Sequence, residues 1–206
     1  PRAFQGQYPP RWHSIINSPV GRLYVAASDN ALTGIWYEEQ AHFPLPHELG
    51  ERITDPAGLV AEADEVAQAI GADAERSGEH IYVAPARILA QTERELDEYF
   101  RGRRTDFEVP LDPDGTDFQL AVWDYLKTVP YGYTVTYGEI SRMVGPGAPA
   151  QAVGQAVGHN KIAIIIPCHR VLGAGGKLTG YAGGLDRKRW LLDREEPKDI
   201  RSGRLF

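Results

Sequence analysis

The sequence predicts a two-part α/β protein, with a strand-bearing amino-terminal half and a mainly helical carboxy-terminal half. Three observations predict it. Trp12 to Tyr37 reads as three short β-rich runs broken by turn residues, and Thr116 and Thr136 each open an apolar repeat of helical period. The third is that the balance of charge reverses between the halves. Residues 1–114 hold 10 Lys/Arg against 20 Asp/Glu, whereas residues 115–206 hold 12 against 8, within a net charge of -6. Such asymmetry lets the second half face phosphates while the first keeps the protein dissolved, although an ordinary surface fits the same numbers. With 206 residues, 42% hydrophobic and 10% aromatic, the chain has material for packed cores.

The elements follow in order. Ser18-Pro19-Val20-Gly21 and Ser28-Asp29-Asn30 separate the first three strands, so an antiparallel meander is the simplest arrangement. Residues 38–85 mix acids, alanines, prolines and glycines; Pro56 to Ile70 reads as a helix and Gly71 to Glu79 as a loop. Pro85 then opens an amphipathic helix carrying Leu89, Leu96 and Phe100, which Gly102 ends. Asp112-Pro113-Asp114-Gly115 is a turn cluster at the charge switch, which places the boundary between domains 1–112 and 113–206.

Thr116 with Gln119 and Thr136 with Glu139 have the form of capping boxes. The first starts a helix bearing Phe118, Val122, Tyr125 and Leu126, stopped by Pro130; the second starts a shorter one ended by Gly145-Pro146. A third helix is expected from about Pro149 to Gly158. Two short helices joined by a tight turn make a helix-turn-helix, the later helix being the groove reader. That helix alternates small residues (Ala150, Ala152, Gly154, Ala156) with Gln151, Val153 and Gln155, which suits either close packing or a shape-directed contact with DNA.

Ile162 to Ile166 is too short and β-branched for a helix and reads as a buried strand, ended by Pro167. Cys168-His169-Arg170 follows. The chain's one cysteine excludes an internal disulfide and a multi-cysteine zinc site, and His169 and Arg170 offer positive charge that would favour a thiolate. A Cys-His pair alone fits a buried structural cysteine equally well. The next segment, Gly173 to Gly184, concentrates six glycines around Tyr181, enough to wrap backbone amides around a planar ligand, and it matches no nucleotide-phosphate motif. His13, His42, His47, His80 and His159 lack ligand spacing, so no metal is expected. No run of about 20 apolar residues spans a bilayer and Pro1 to Pro10 lack a signal peptide's apolar run, which predicts a cytoplasmic protein without membrane contact.

Pro167-Cys168-His169-Arg170-Val171, with Gly158-His159-Asn160 before it and Leu178-Thr179-Gly180-Tyr181-Ala182-Gly183-Gly184 after it, resembles the O6-alkylguanine-DNA alkyltransferases. The resemblance extends through Thr116-Asp117-Phe118-Gln119, Val122-Trp123, Pro130-Tyr131-Gly132 and Tyr137-Gly138-Glu139-Ile140 to Leu192–Glu195, and more weakly into the amino-terminal meander. It implies a ribonuclease-H-like α/β domain before a helical alkyl-transfer domain, a monomer acting on double-stranded DNA, and no cofactor. The implied reaction moves an alkyl group from O6 of guanine, less readily O4 of thymine, irreversibly to Cys168.

By the same resemblance His169 is the base acting on Cys168 through a water, Glu195 orients it, Asn160 braces the turn and Tyr137 protonates the leaving guanine. Tyr181, Ala182, Gly183, Val171 and Trp123 line the pocket, and Ala150, Gln151, Ala152, Gly154, Gln155, Tyr137 and Arg170 meet DNA. Gln151 stands where the family carries an arginine that fills the gap left by the flipped base, and Lys161 where many members have proline. The competing reading is a protein that binds the lesion without efficient transfer; the retained Cys168, His169, Asn160, Tyr137 and Glu195 favour the enzyme and Gln151 favours the competitor.

Overall fold

The computed structural model describes residues 11–70, 82–145 and 147–196; the loop expected over residues 71–79 lies outside them. The meander forms as β1 (Trp12–Ser18), β2 (Gly21–Ala27) and β3 (Leu32–Tyr37), antiparallel in sequence. Two short elements inside residues 38–55 went unanticipated. These are α1 (Pro46–Leu49) and β4 (Glu51–Arg52), the latter parallel to β1, giving sheet order β3-β2-β1-β4. Two-residue strands carry no periodicity to read.

Next come α2 (Pro56–Ile70) and α3 (Val83–Phe100). The latter begins two residues before Pro85, which the first turn tolerates because its N–H groups have no intrahelical acceptor. Ala86, Leu89, Leu96 and Tyr99 of α3 are buried against the sheet at helical spacing. The buried Glu95 of α3 accepts the Glu108 and Val109 N–H groups at 2.9 and 3.3 Å, pinning the following segment to the helix. That segment reaches the edge of β3, where Leu32 N–H donates to Pro110 and Asp112 N–H to Leu32.

Farther along the same edge Ile35 N–H donates to the Lys161 carbonyl at 2.8 Å, and Ala163 N–H to Ile35 at 3.1 Å. Two later segments therefore pair with the edge of β3, and all its residues are buried. That edge also docks the amino-terminal sheet directly on the segment leading to Cys168.

The carboxy-terminal half contains α4 (Asp117–Lys127), β5 (Val135–Thr136), α5 (Tyr137–Val144), α6 (Ala150–Gly158), β6 (Val171–Leu172) and α7 (Leu185–Glu195). Both capping boxes are present: Thr116 accepts from Gln119 N–H and Thr136 from Glu139 N–H, with each side chain answering back to the cap. Helices α5 and α6 pack on each other and on α4 as the helix-turn-helix requires, and the Ser141 hydroxyl caps the connection by donating to the Ala148 carbonyl.

One expected pocket residue is instead a core brace. Trp123 is buried in α4 and donates Nε1–H to the Ala156 carbonyl at 2.8 Å, one of the last-turn carbonyls of α6 that has no intrahelical donor. Its ring lies where a Cβ on Gly115 would approach to 2.6 Å. Trp123→Phe strands that carbonyl and leaves a void, so stability to urea should fall by about 2 kcal/mol with little change in the pH profile of Cys168.

Candidate active site

The segment expected to be a strand is buried, as its composition requires, but it is a run of tight turns. The Asn160 side chain imposes them. Its Oδ1 accepts from Ile162 N–H at 3.1 Å, and its Nδ2 donates to the carbonyls of Ile162 and Ile166 at 3.3 and 2.8 Å and to Cys168 Sγ at 3.1 Å. Ile165 N–H bonds back to Ala163, which puts Ile164 at φ 73°, a conformation unfavourable for a β-branched residue. Pro167, at φ -81° and ψ 62°, forms an inverse γ-turn closed by Cys168 N–H to the Ile166 carbonyl at 2.8 Å. A pyrrolidine ring is preset near that φ, so Pro167 turns the chain and delivers Cys168 into a single 3-10 turn, Cys168–Arg170.

That turn directs the three side chains to different partners. His169 is fully buried, and its Nε2 donates to Glu195 Oε1 at 2.8 Å while Nδ1 has no hydrogen-bond partner. Burial holds the imidazole below its ordinary pKa, against the pull of Glu195, so it is neutral at pH 7. Arg170 corrects an expectation: it does not face DNA. It is buried, donates from Nε and Nη2 to Glu195 at 2.7 and 2.9 Å, and donates from Nη1 to the Val129 carbonyl. Burial alone would raise the Glu195 carboxyl, yet the hydrogen bonds from His169 and Arg170 and the charge of Arg170 outweigh it and keep Glu195 ionised. Tyr99 of α3 adds an O–H bond at 2.8 Å and Gly132 an N–H at 3.3 Å.

Cys168 is buried as well, and desolvation pushes its thiol up. The Asn160 amide, the Lys188 ammonium and the Tyr181 hydroxyl act in the opposite direction. The expected source of positive charge is thus corrected: His169 is neutral and Arg170 is committed to Glu195, so the cation acting on the sulfur is Lys188. Lys188 has no exposed surface, and burial pulls its pKa down to about 8. Its Nζ donates to the Thr179 and Gly180 carbonyls at 2.6 and 3.2 Å, tying the glycine-rich segment to α7. Reading the residues missed Lys188, although Lys188, Leu191 and Glu195 share one face of α7 at helical spacing and a lysine on such a face is unusual.

Around the sulfur, Tyr181 hydrogen-bonds Tyr37 of β3 through their hydroxyls at 2.8 Å, and Ala182 accepts from Ala41 N–H at 3.1 Å. Gly183 is required to be small: a Cβ there would meet the Tyr37 ring at 2.4 Å. Val171 is fully buried in β6, paired with Val135, and belongs to the core. Tyr137, at the start of α5, is half-buried with its ring beside Gly154 of α6, and burial raises its phenol pKa. On α6, Ala150, Gln151 and Gln155 are exposed, Ala152 and Gly154 are half-buried, and Val153, Ala156 and Val157 face the core. Among the described residues no group of three metal-ligating side chains occurs, and no helix is long and apolar enough to cross a membrane.

Residues 117–197 match the 6-O-methylguanine DNA methyltransferase DNA binding domain, and residues 59–113 match the ribonuclease-like domain of the same family. The methylated-DNA--protein-cysteine methyltransferase of Mycobacterium tuberculosis strain H37Rv is 40% identical over 183 residues, covering 89% of this chain and 91% of the relative. That of Methanosarcina acetivorans is 51% identical over 114 residues, covering 55% and 73%. The crystal structure of Mycobacterium tuberculosis OGT in complex with DNA superposes with a TM-score of 0.69 at 40% identity, covering 92% of this chain and 97% of that one. With two family domains in register along the chain and relatives matched over nearly its full length, the chain belongs to the 6-O-methylguanine DNA methyltransferase family.

Proposed function

We propose that this protein repairs DNA by direct reversal, taking an alkyl group from O6 of guanine onto Cys168 once per molecule. The observation that carries the reading is the state of His169: a buried neutral imidazole, fixed through Nε2 by Glu195, with Nδ1 unpartnered beside the chain's one cysteine in sequence. A base in that state can accept the thiol proton through one bridging water. The sulfur then forms a bond to the alkyl carbon as the carbon–O6 bond breaks, and the electron pair stays on guanine. Guanine takes a proton as it leaves, and the donor in this reading is Tyr137, a phenol that is protonated at neutral pH and whose pKa burial raises further. The thioether has no leaving path, so the protein is consumed. Because the sulfur is buried, the damaged base must leave the duplex, with α6 lying along the groove.

Gln151 favours a second reading. It is exposed at the second position of α6, where the family's arginine would enter the duplex, and it is shorter and uncharged. A protein with that residue would bind the lesion and transfer the group slowly.

Four measurements test the proposal. Intact mass after incubation with duplex DNA containing O6-methylguanine should show a gain of one methyl per chain, absent in Cys168→Ser; repeated turnover by either protein would refute the one-use reaction. Glu195→Gln should slow single-turnover transfer on pre-bound DNA by at least about 10-fold, because it removes the charge that stabilises imidazolium. Breaking the Arg170 pair should also lower stability by about 3 kcal/mol, read by denaturant titration. Gln151→Arg should speed repair of duplex DNA but not of free O6-benzylguanine, which needs no extrusion. A duplex rate left unchanged would show that Gln151 is not a weakened wedge.

A further inference from the structure

Tyr99 stands in α3, in the amino-terminal half, yet its side chain ends on Glu195 with no exposed surface. Its O–H reaches Oε1 at 2.8 Å, the same oxygen that takes His169 Nε2–H at 2.8 Å and Arg170 Nη2–H at 2.9 Å. The direction of the bond is fixed, because an ionised carboxylate only accepts and the phenol must donate. Burial and the charge of Glu195 raise the phenol well above its ordinary range, so the proton stays on Tyr99. Packing fixes the ring as well: Phe107 lies at 5.5 Å and Tyr131 at 6.2 Å, centroid to centroid.

A carboxylate has roughly four lone-pair sites, two to an oxygen, so three donors on Oε1 compete for the same electron density. What Tyr99 draws from Oε1 is withheld from His169. We propose that Tyr99 is a positioning residue for the reaction: by holding its O–H on the oxygen that faces His169, it limits the negative charge the carboxylate presents to the imidazole and keeps His169 neutral and ready to take a proton. A carboxylate with fewer donors would hold more of the histidine as imidazolium before any thiol proton arrives, and imidazolium is no base. The other titratable groups around His169 are Cys168 and Arg170 in its own turn and Lys188 in α7. Arg170 and Lys188 act against a charged ring whereas Glu195 favours one, so the strength of Glu195 decides the balance. Tyr99 thus lets the amino-terminal domain act on the reactive centre without touching it. For its place in repair the inference rests on the reading of His169 as the base; for the state of the ring it does not.

The test titrates His169 by NMR in the full chain labelled at the histidine ring nitrogens, which reads protonation directly, with near-ultraviolet dichroism to verify folding. Tyr99→Phe keeps the ring and removes the hydroxyl. It should raise the His169 midpoint by about half to one pH unit, a roughly three- to ten-fold larger imidazolium fraction above the midpoint. Fluorotyrosine at position 99, with fluorine beside the hydroxyl, donates more strongly and should move the midpoint the other way. In single-turnover transfer on pre-bound DNA, Tyr99→Phe should carry the acid limb upward by the same interval and leave the alkaline plateau no slower; an acid limb that stays while the midpoint moves overturns its place in repair. Lost stability with an unmoved midpoint, or a shift in one direction by both substitutions, overturns the tuning. Should Tyr99→Phe fail to fold, an unmoved or raised midpoint with fluorotyrosine overturns it. If wild type gains no methyl from O6-methylguanine DNA while the midpoints move as expected, the repair reading fails and the tuning stands; methyl gain with unmoved midpoints removes the tuning alone.

Discussion

The buried carboxylate of Glu195 holds together parts of the molecule that are distant in sequence. Its two oxygens accept from Tyr99 in α3, from Gly132 after α4, and from His169 and Arg170 in the reactive turn, while Glu195 itself ends α7. Removing a carboxylate from water costs several kcal/mol, which is recovered only where good geometry fills its lone pairs. Arg170 neutralises the charge, so His169 is free to remain neutral and buried. The same group therefore sets the tautomer of the proposed base and joins the helices on which the turn is mounted.

A second constraint governs the sulfur. Asn160 gathers the Ile162–Cys168 segment onto one amide, and β3 fixes the start of that segment through Ile35. Lys188 does the same for the glycine-rich segment on the far side, holding two carbonyls with an ammonium whose charge also reaches Cys168. Desolvation and these donors oppose one another. A thiol held up by burial resists casual oxidation and alkylation, and donors already in place stabilise the thiolate when a base removes its proton.

The outer surface of the helix-turn-helix is built on another principle. The exposed residues of α6, Ala150, Gln151 and Gln155, carry no charge, and the Tyr137 ring of α5 packs beside Gly154. Such a surface fits close to a groove by shape and distinguishes few bases, which suits a damaged base in any sequence context.

Much was legible in the sequence because it depends on neighbours along the chain. The antiparallel meander, both capping boxes, the amphipathic face of α3 and the small-residue helix α6 are products of turn chemistry and periodicity, and the family motif around Cys168 marked the reactive segment. Ile162–Ile166 was misread because β-branched composition records burial but not the hydrogen bonds that Asn160 makes across it. Arg170 looked like a surface cation and Trp123 like a pocket wall until Glu195 and the Ala156 carbonyl, 25 and 33 positions away, supplied their partners. Lys188 and Tyr37 lay hidden for the same reason, one in a basic run of α7 and the other in an apolar strand. Sequence alone determined which segments fold locally and where the family motif lies; tertiary structure alone decided charge and protonation around Cys168, because those depend on burial and on partners that only packing brings within 3 Å or so.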